Sequence, residues 1–143
     1  MRAFEHKLVV GFEETNLVGN VYFANFVRWQ GKCREMFVRQ HAPEVADELR
    51  GDLALVTTRC SCEYLAELRA FDEVEIEMRI ASLSRGRVTM RFDYWRTGPG
   101  PRVMAARGEQ EVAAMRRVAD GVEPRPFPES LARALASYSV DHA

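Results

Sequence analysis

The chain changes its hydrophobic period near residue 52, and this change is what most limits the folds that it can adopt. Apolar residues recur at the helical spacing of 3.6 through residues 21–41, whereas from residue 53 they alternate with polar residues. In the clearest alternating segment, residues 74–83, one face carries Val74, Ile76, Met78 and Ile80, and the other carries Glu75, Glu77 and Arg79. One long helix followed by strands therefore predicts the α+β class.

Four strands are predicted after the helix and one before it. The segments are residues 4–12, 53–65, 74–83, 88–95 and 102–117. The turn sequences "SRGR" at 84–87 and "TGPGP" at 97–101 join antiparallel neighbours. In the strand over residues 53–65, we expect one face to carry Ala54, Val56, Thr58, Cys60, Cys62 and Tyr64.

Each predicted strand has one apolar face, so the sheet needs a packing partner on that side. The helix over residues 21–41 is the only long element that can supply it. We therefore expect a five-stranded antiparallel sheet wrapped around one central helix, in a single domain over residues 1–143. A short C-terminal helix is expected to cover one edge of the sheet with Leu131, Leu135 and Tyr138.

Charge and composition argue against several partners. The formal net charge is −1, so no global field attracts nucleic acid or an acidic membrane. The first residues, "MRAFEHKLVV", have too short an apolar run for a signal peptide, and no segment has the length of a membrane span. We therefore expect a cytoplasmic protein that binds neither nucleic acid nor membranes.

The cysteines do not predict a metal site. Cys60 and Cys62 lie close together in "CSC", but no second pair of ligands accompanies them, as structural zinc requires. Cys33 makes the cysteine count odd, which argues against a disulfide framework. We interpret Cys60 and Cys62 as small buried thiols on a strand, and expect no metal.

One charged residue stands out on the helical wheel of residues 23–39. Phe26, Val27, Gln30, Cys33 and Phe37 form the stripe that should face the sheet, and Arg34 falls within it. A buried guanidinium is costly unless it is paired or faces a wet cavity. Arg34 either lies at the stripe's edge, with a solvent or carboxylate partner, or faces a cavity or interface and binds a ligand oxygen.

The opposite side of the helix carries Arg28, Lys32 and Arg39. These residues are most simply a solvated face. A phosphate or an acidic carrier protein is the alternative partner for them.

The segment "ETNLVGN" before the helix is a polar turn that contains no nucleophilic cysteine or serine. Asn20 is a natural N-cap, and a turn with a cap is the simplest interpretation. A helix N-terminus also presents unpaired N–H groups, so the backbone N–H groups of Tyr22 and Phe23 are candidate oxyanion donors. Asn16 precedes them and can orient water or a carbonyl. Glu13 or Glu14 could supply a base.

The segment "GFEETNLVGNVYFANFVRWQGKCREMFV" resembles the opening signature of the 4-hydroxybenzoyl-CoA thioesterase-like hot-dog proteins. The family pattern is a strand, D-x-x-G, an aromatic pair, an asparagine and then R-W in the helix. Asn25, Arg28 and Trp29 match its later positions in order. Asn16 stands where most members carry a catalytic aspartate, and this departure together with Arg34 resembles the thioesterases of enediyne polyketide biosynthesis.

This resemblance implies a cofactor-independent thioesterase that releases a polyene β-ketoacyl chain from the acyl carrier protein of an iterative type I polyketide synthase. It implies a homotetramer in which Asn16 and Arg34 replace the usual carboxylate and the acyl chain lies beside the helix. The expected substrate-binding residues are Gly19, Phe26, Gln30 and Phe37. The released β-keto acid can lose CO2 to give a methyl ketone.

Two other functions stay open on the sequence. An acyl-CoA or aroyl-CoA thioesterase is the commoner activity in the wider family. A non-catalytic protein that binds acyl chains is supported by the missing aspartate, because asparagine is neither a general base nor a nucleophile near neutral pH.

Overall fold

The computed structural model describes residues 2–139, which form one antiparallel sheet and three α-helices. The strands are β1 (Phe4–Val9), β2 (Leu53–Tyr64), β3 (Glu73–Leu83), β4 (Arg87–Gly98), β5 (Val103–Val118) and β6 (Gly121–Pro124). The helices are α1 (Phe23–His41), α2 (Val45–Arg50) and α3 (Glu129–Tyr138), and a 3-10 turn covers Phe12–Glu14. The α+β class and the single long helix packed on an antiparallel sheet are confirmed.

The sheet contains six strands, so the predicted number of five is wrong. Its order is β1-β3-β4-β5-β2, and the short β6 pairs with the end of β5. The chain reverses after Val118, and Gly121 adopts φ +142°, a backbone conformation that other residues rarely take. Four residues are too few for an alternating pattern to reveal β6. Strands β1 and β2 form the two long edges of the sheet.

The core lies between α1 and the alternating faces of β3, β4 and β5. The buried residues of α1 are Phe26, Trp29, Gln30, Cys33 and Phe37. They pack against the core-facing side of the sheet, where the fully buried residues include Ile76, Met78, Phe92 and Tyr94. Each such apolar side chain contributes roughly 1.5–3 kcal/mol on burial. The alternation on β3 and β4 therefore predicted the core-facing residues of both strands.

Helix α3 closes one side of this core. Leu131, Leu135 and Tyr138 are buried, as the sequence predicts. The Tyr138 ring lies 5.2 Å from the ring of Phe37, and its hydroxyl is 2.9 Å from Nε2 of His41. Phe4 of β1 completes the same aromatic cluster. The C-terminal helix thus joins α1 to the edge strand β1.

The single alternating face predicted for β2 is wrong, because a β-bulge lies between Thr57 and Arg59. Before the bulge the odd-numbered Leu53 and Leu55 pack on the core, and after it the even-numbered Cys62 does so. A bulge adds one residue to a strand and so exchanges its two faces. Thr57, the last residue before the bulge, lies on the same face as Leu53 and Leu55, and its hydroxyl accepts a hydrogen bond from Arg34 of α1. Cys60 is exposed, so the expected burial of both thiols fails for that residue.

Helix α1 begins at Phe23, two residues later than predicted, and Asn20 is not its N-cap. The N-cap is Tyr22, which makes no side-chain capping bond. Asn20 and Val21 instead form isolated bridges with Arg69 and Thr15. The chain therefore stays extended up to the helix. No helix within residues 2–139 is long and apolar enough to cross a membrane.

Candidate active site

The loop that enters α1 is held in place by Glu14. Its carboxylate accepts hydrogen bonds from the Gly11 N–H and from the Trp29 indole N–H, both at 2.9 Å. Its carbonyl oxygen accepts the Tyr22 N–H at 3.0 Å and the Asn25 side-chain amide at 2.9 Å. Both carboxylate oxygens are engaged, so Glu14 is a structural residue and not a free base. Asn25 and Trp29, two residues of the sequence signature, serve as its anchors.

We expect Glu14→Gln to destabilise the protein by roughly 1–3 kcal/mol, because its new NH2 group would face one of the two part-buried N–H groups that the carboxylate now accepts. Urea unfolding of the variant measures this loss. The matched control is Glu13→Gln, since Glu13 is exposed, and it should change stability by less than about 0.5 kcal/mol. Equal stability of the two variants would show that Glu14 does not hold the loop.

The oxyanion prediction needs a correction at Tyr22. Its N–H donates to the Glu14 carbonyl oxygen and is therefore not available to a ligand. The Phe23 N–H, at the first helical residue, has no acceptor among residues 2–139. The positive end of the helix dipole lies at this position, which favours an oxygen that develops negative charge. Of the two predicted backbone donors, the Phe23 N–H alone is free.

A cavity of about 350 Å³ lies beside this helix end, and we call it the loop cavity. Its lining residues are Asn16, Asn20, Val21, Phe23, Phe26, Tyr64, Leu65, Ala66, Glu67 and Leu68. Asn16 Oδ1 accepts the Val18 N–H at 3.0 Å, so the amide NH2 group of Asn16 is the part that remains for a ligand. Asn16 can therefore donate to a carbonyl oxygen in this cavity.

Carboxylates are poorly placed for general base catalysis at the loop cavity. Glu67 is the lining residue that carries one, but its side chain is 64% exposed and lies 3.5 Å from Arg69. Solvent and Arg69 therefore already occupy this carboxylate. Donors of hydrogen bonds, rather than a base, characterise this end of the helix.

Arg34 borders a second cavity, of about 390 Å³, which we call the arginine cavity. Its lining residues are Arg34, Glu35, Val38, Arg39, Pro43, Ala46, Leu49 and Leu55. A smaller void of about 20 Å³ shares Arg34, Val38 and Leu55 with it and reaches Phe37 in the core. The arginine cavity is thus a largely apolar space whose wall also carries the charged residues Arg34, Glu35 and Arg39.

The half-buried Arg34 has only neutral partners. Its Nη1 donates to Gln110 Oε1 at 2.6 Å and to Thr57 Oγ1 at 3.0 Å. Within residues 2–139, no carboxylate lies within 4.0 Å of it. Burial lowers the pKa of Arg34, and the charge of Glu35 opposes that shift. The carboxylate partner considered for Arg34 is therefore wrong, whereas its position at the edge of the buried stripe, beside a cavity, agrees with the structure.

Of the four predicted substrate-binding residues, two line a cavity and two do not. Phe26 lines the loop cavity, and its carbonyl oxygen accepts the Tyr94 hydroxyl at 2.6 Å. Phe37 lines the inner void next to Arg34. Gln30 is fully buried and hydrogen-bonded to protein groups, so it lines neither cavity. Gly19 adopts φ +89° in the exposed loop and lines neither cavity.

Asn16 and Arg34 do not meet within one chain. Phe23 and Arg34 are eleven positions apart on α1, which corresponds to about 16 Å along the helix axis. Asn16 lines the loop cavity and Arg34 lines the arginine cavity. The two groups therefore border separate cavities of one chain.

The sequence interpretation missed Thr57 and Gln110, the two residues that hold Arg34. A signal for Gln110 was present, because it interrupts the core-facing series Ala106, Gly108, Val112 and Ala114 of β5 with a long polar side chain. A buried amide on an otherwise apolar face requires hydrogen-bond partners. Thr57 was missed because the sequence assigned the even-numbered residues of β2 to the core-facing side, and the bulge after Thr57 that reverses the two faces leaves no pattern in the sequence.

Comparison with known proteins identifies the family and agrees with the fold. The model of the thioesterase-like superfamily matches residues 10–135. The structure superposes on the dynemicin thioesterase, described with polyene binding, with TM-score 0.94 and 50% identity over 97% of this chain and 99% of that chain. No curated protein matches the chain.

More distant structures share the fold. The 4-hydroxybenzoyl-CoA thioesterase from Pseudomonas sp. strain CBS-3 gives TM-score 0.78 at 18% identity, over 94% of this chain and 99% of that chain. The 1,4-dihydroxy-2-naphthoyl-CoA thioesterase from Synechocystis gives TM-score 0.81 at 18% identity, over 93% and 95%.

The sheet wrapped around one helix is the hot-dog fold, and together with the family match and these relatives it makes the protein a hot-dog thioester hydrolase. The chain belongs to the thioesterase-like superfamily, and its resemblance to the enediyne thioesterases is confirmed.

Proposed function

We propose that this thioesterase hydrolyses a polyene β-ketoacyl thioester on the acyl carrier protein of an iterative type I polyketide synthase in enediyne biosynthesis. The observation that carries the proposal is Arg34, a half-buried cation with neutral partners in the wall of a largely apolar cavity. A long unsaturated chain with two oxygens at one end suits a space of that kind. The 50% identity to the dynemicin thioesterase supports the same substrate class.

The substrate would lie between two copies of the chain. Strand β2 forms a free edge of the sheet, with Leu55 beside the arginine cavity and Tyr64 beside the loop cavity. If two β2 strands pair antiparallel about a two-fold axis, the Tyr64 end of one lies against the Leu55 end of the other. Asn16 of one subunit then approaches Arg34 of the partner subunit. We propose this pair as the unit of the homotetramer.

The reaction breaks the C–S bond of the thioester and forms a C–O bond to water, and the water proton ends on the departing thiol. Negative charge develops on the carbonyl oxygen, where the Phe23 N–H and the Asn16 amide can donate hydrogen bonds. Arg34 binds the β-keto oxygen and the carboxylate that forms. Because asparagine cannot take a proton, these groups act by orientation and electrostatic stabilisation. The free β-keto acid can then lose CO2 in solution.

The exposed face of α1 supports an acidic carrier protein as the partner. Lys32 and Arg39 are exposed there, and neither forms an ion pair within residues 2–139. Burial lowers the pKa of the neighbouring His6, and the charge of Lys32 lowers it further. Glu35 lies on the same face, but Lys32 and Arg39 leave it net positive and accessible to a partner. We propose that the encounter takes place in the cytoplasm.

Mixing two impaired variants tests the shared site. We expect Asn16→Ala to lower turnover about tenfold, since it removes one donor, and Arg34→Met to lower it further. After subunit exchange, half of the pairs combine one chain of each variant and contain one intact site. The mixture should recover about a quarter of wild-type turnover, well above either variant. Activity equal to the mean of the two variants would contradict a site built from two chains.

An acyl-CoA substrate is the competing function, and the wider family favours it. Hydrolysis of matched β-ketoacyl thioesters of coenzyme A and of the carrier protein separates the two. We expect a higher kcat/KM for the carrier protein, because the basic face of α1 contributes to its binding. Equal or higher kcat/KM for the coenzyme A thioester would favour the competing function.

A further inference from the structure

Two glutamines lie in the interface between α1 and the sheet, where apolar residues surround them. Gln30 is fully buried, and Gln110 is 4% exposed. The apolar residues Phe26, Cys33 and Val112 flank them in sequence on the same core-facing surfaces. A buried amide without partners costs stability, so a pair of them calls for a reason beyond packing.

The two amides form a directed chain of hydrogen bonds that ends at Arg34. Gln30 Nε2 donates to the Ser61 carbonyl oxygen at 2.9 Å, and Gln110 Nε2 donates to Gln30 Oε1 at 3.3 Å. Gln110 Oε1 then accepts Arg34 Nη1 at 2.6 Å. Arginine only donates, so the Gln110 oxygen must face it, and this fixes the orientation of both amides.

The backbone leaves room for these hydrogen bonds at Gly108. A Cβ atom on Gly108 would collide with Gln30 Nε2 and lie 2.6 Å from the Ser61 carbonyl oxygen. Gly108 lies two residues before Gln110 on the same face of β5 and pairs with Cys62 of β2. The glycine thus lets Gln30 reach the β2 backbone, and Gln30 in turn holds the Gln110 amide.

A neutral residue that binds the Arg34 guanidinium has a different effect from an acidic residue at the same place. A carboxylate at position 110 would also fix the guanidinium, but it would cancel the charge of Arg34 in a site of low dielectric. An amide oxygen restrains the group and leaves its full positive charge. Thr57 Oγ1, at 3.0 Å from Nη1, is a second neutral acceptor.

We propose that Gln110 is a positioning residue that aims the Arg34 guanidinium into the arginine cavity and keeps its charge available for the acyl substrate. Gln30 accepts a hydrogen bond from the Gln110 amide and so holds its orientation. Thr57 of β2 accepts a second hydrogen bond from the Arg34 guanidinium. This inference rests on the proposed function, in which Arg34 binds the β-keto oxygen and the new carboxylate.

The kinetic test is Gln110→Glu, which keeps the size and supplies the charge that the inference excludes. We expect kcat for a β-ketoacyl carrier protein to fall about 100-fold with little change in KM, because transition-state stabilisation is lost. The matched control is Gln40→Glu, which adds the same charge at an exposed position of α1 and should leave kcat unchanged. Thermal unfolding confirms that both variants fold, and Thr57→Val, at an exposed strand position, should give a smaller loss of kcat.

The effect of Gln110→Glu must also depend on Arg34. In an Arg34→Met background, Gln110→Glu should lower kcat no further, because the group through which it acts is gone. Wild-type kcat in the Gln110→Glu variant, or losses that multiply in the double variant, would overturn the inference.

A measurement without substrate separates this inference from the proposed function. In ¹H–¹⁵N spectra of the wild type, the restrained Arg34 Nε–H should give its own resolved signal. In Gln110→Leu, the chemical shift of this signal should move to the crowded region where freely rotating arginine side chains overlap. That change would support the positioning role even if the wild type hydrolysed no β-ketoacyl carrier protein. An unaltered Arg34 signal in Gln110→Leu would overturn it.

Discussion

Arg34→Met should lower kcat for a β-ketoacyl carrier protein about 100- to 1000-fold, the loss seen when a preorganised charge donor is removed from an active site. The side chain is half-buried, and its partners Gln110 and Thr57 are neutral. Methionine fills much of the same volume, so the core should tolerate the change. Steady-state kinetics, together with thermal unfolding of the variant, measures both expectations.

Two further variants separate the possible reasons for that loss. Arg39→Met removes an exposed cation that lines the same cavity and belongs to the proposed carrier-protein face, so it should raise KM but leave kcat within about threefold. Arg34→Lys keeps the charge but loses the planar fork of donors, so it should restore only a small part of kcat. A stable Arg34→Met variant with wild-type kcat would return Arg34 to a purely structural role.

Gly108→Ala should be the most destabilising of the glycine-to-alanine changes in the described part of the chain, at roughly 3 kcal/mol. The new Cβ atom would meet Gln30 Nε2 and the Ser61 carbonyl oxygen. Relief requires either a shift of the β2 backbone or loss of the Gln30 hydrogen bonds. The midpoint of urea unfolding should therefore fall clearly.

The control for Gly108→Ala is Gly31→Ala. A Cβ atom at Gly31, in the middle of α1, meets nothing within 4 Å. Alanine should stabilise that helix by roughly 0.5–1 kcal/mol, because glycine loses more backbone freedom on folding. Similar unfolding midpoints for the two variants would show that the Gln30 contact does not constrain position 108.

The architecture followed from the sequence because alternation and helical period report directly on burial. The apolar faces of β3 and β4 are the buried ones, and Leu131, Leu135 and Tyr138 do cover the core. The bulge in β2 did not follow, because one extra residue changes no composition. Strand β6 did not follow either, because its four residues are too few for a period to appear.

The functional site was predicted only in part, for reasons of three-dimensional placement. The wheel put Arg34 on the core-facing stripe, but the buried stripe is centred nearer Trp29 and Cys33, so Arg34 lies at its edge. The sequence suggested Tyr22 as a donor, and only the fold reveals that the Glu14 carbonyl oxygen occupies its N–H. Hydrogen-bond partners that are distant in sequence leave no local pattern.

The separation of Asn16 from Arg34 is the feature that sequence reasoning could least foresee. The sequence predicts that both residues act in one mechanism, yet they line different cavities of one chain. The free edge at β2 offers a physical solution, because antiparallel pairing would place the two cavities together. The proposed active site therefore depends on the assembly as much as on the chain.

Mass spectrometry of a β-ketoacyl carrier protein incubated with this protein tests the central claim most directly. The wild type should convert the acyl carrier protein to its free thiol form and release the β-keto acid or the derived methyl ketone. Arg34→Met, at the same concentration, should leave the thioester intact over the same time. An intact thioester with the wild type, or equal release by both proteins, would contradict the account.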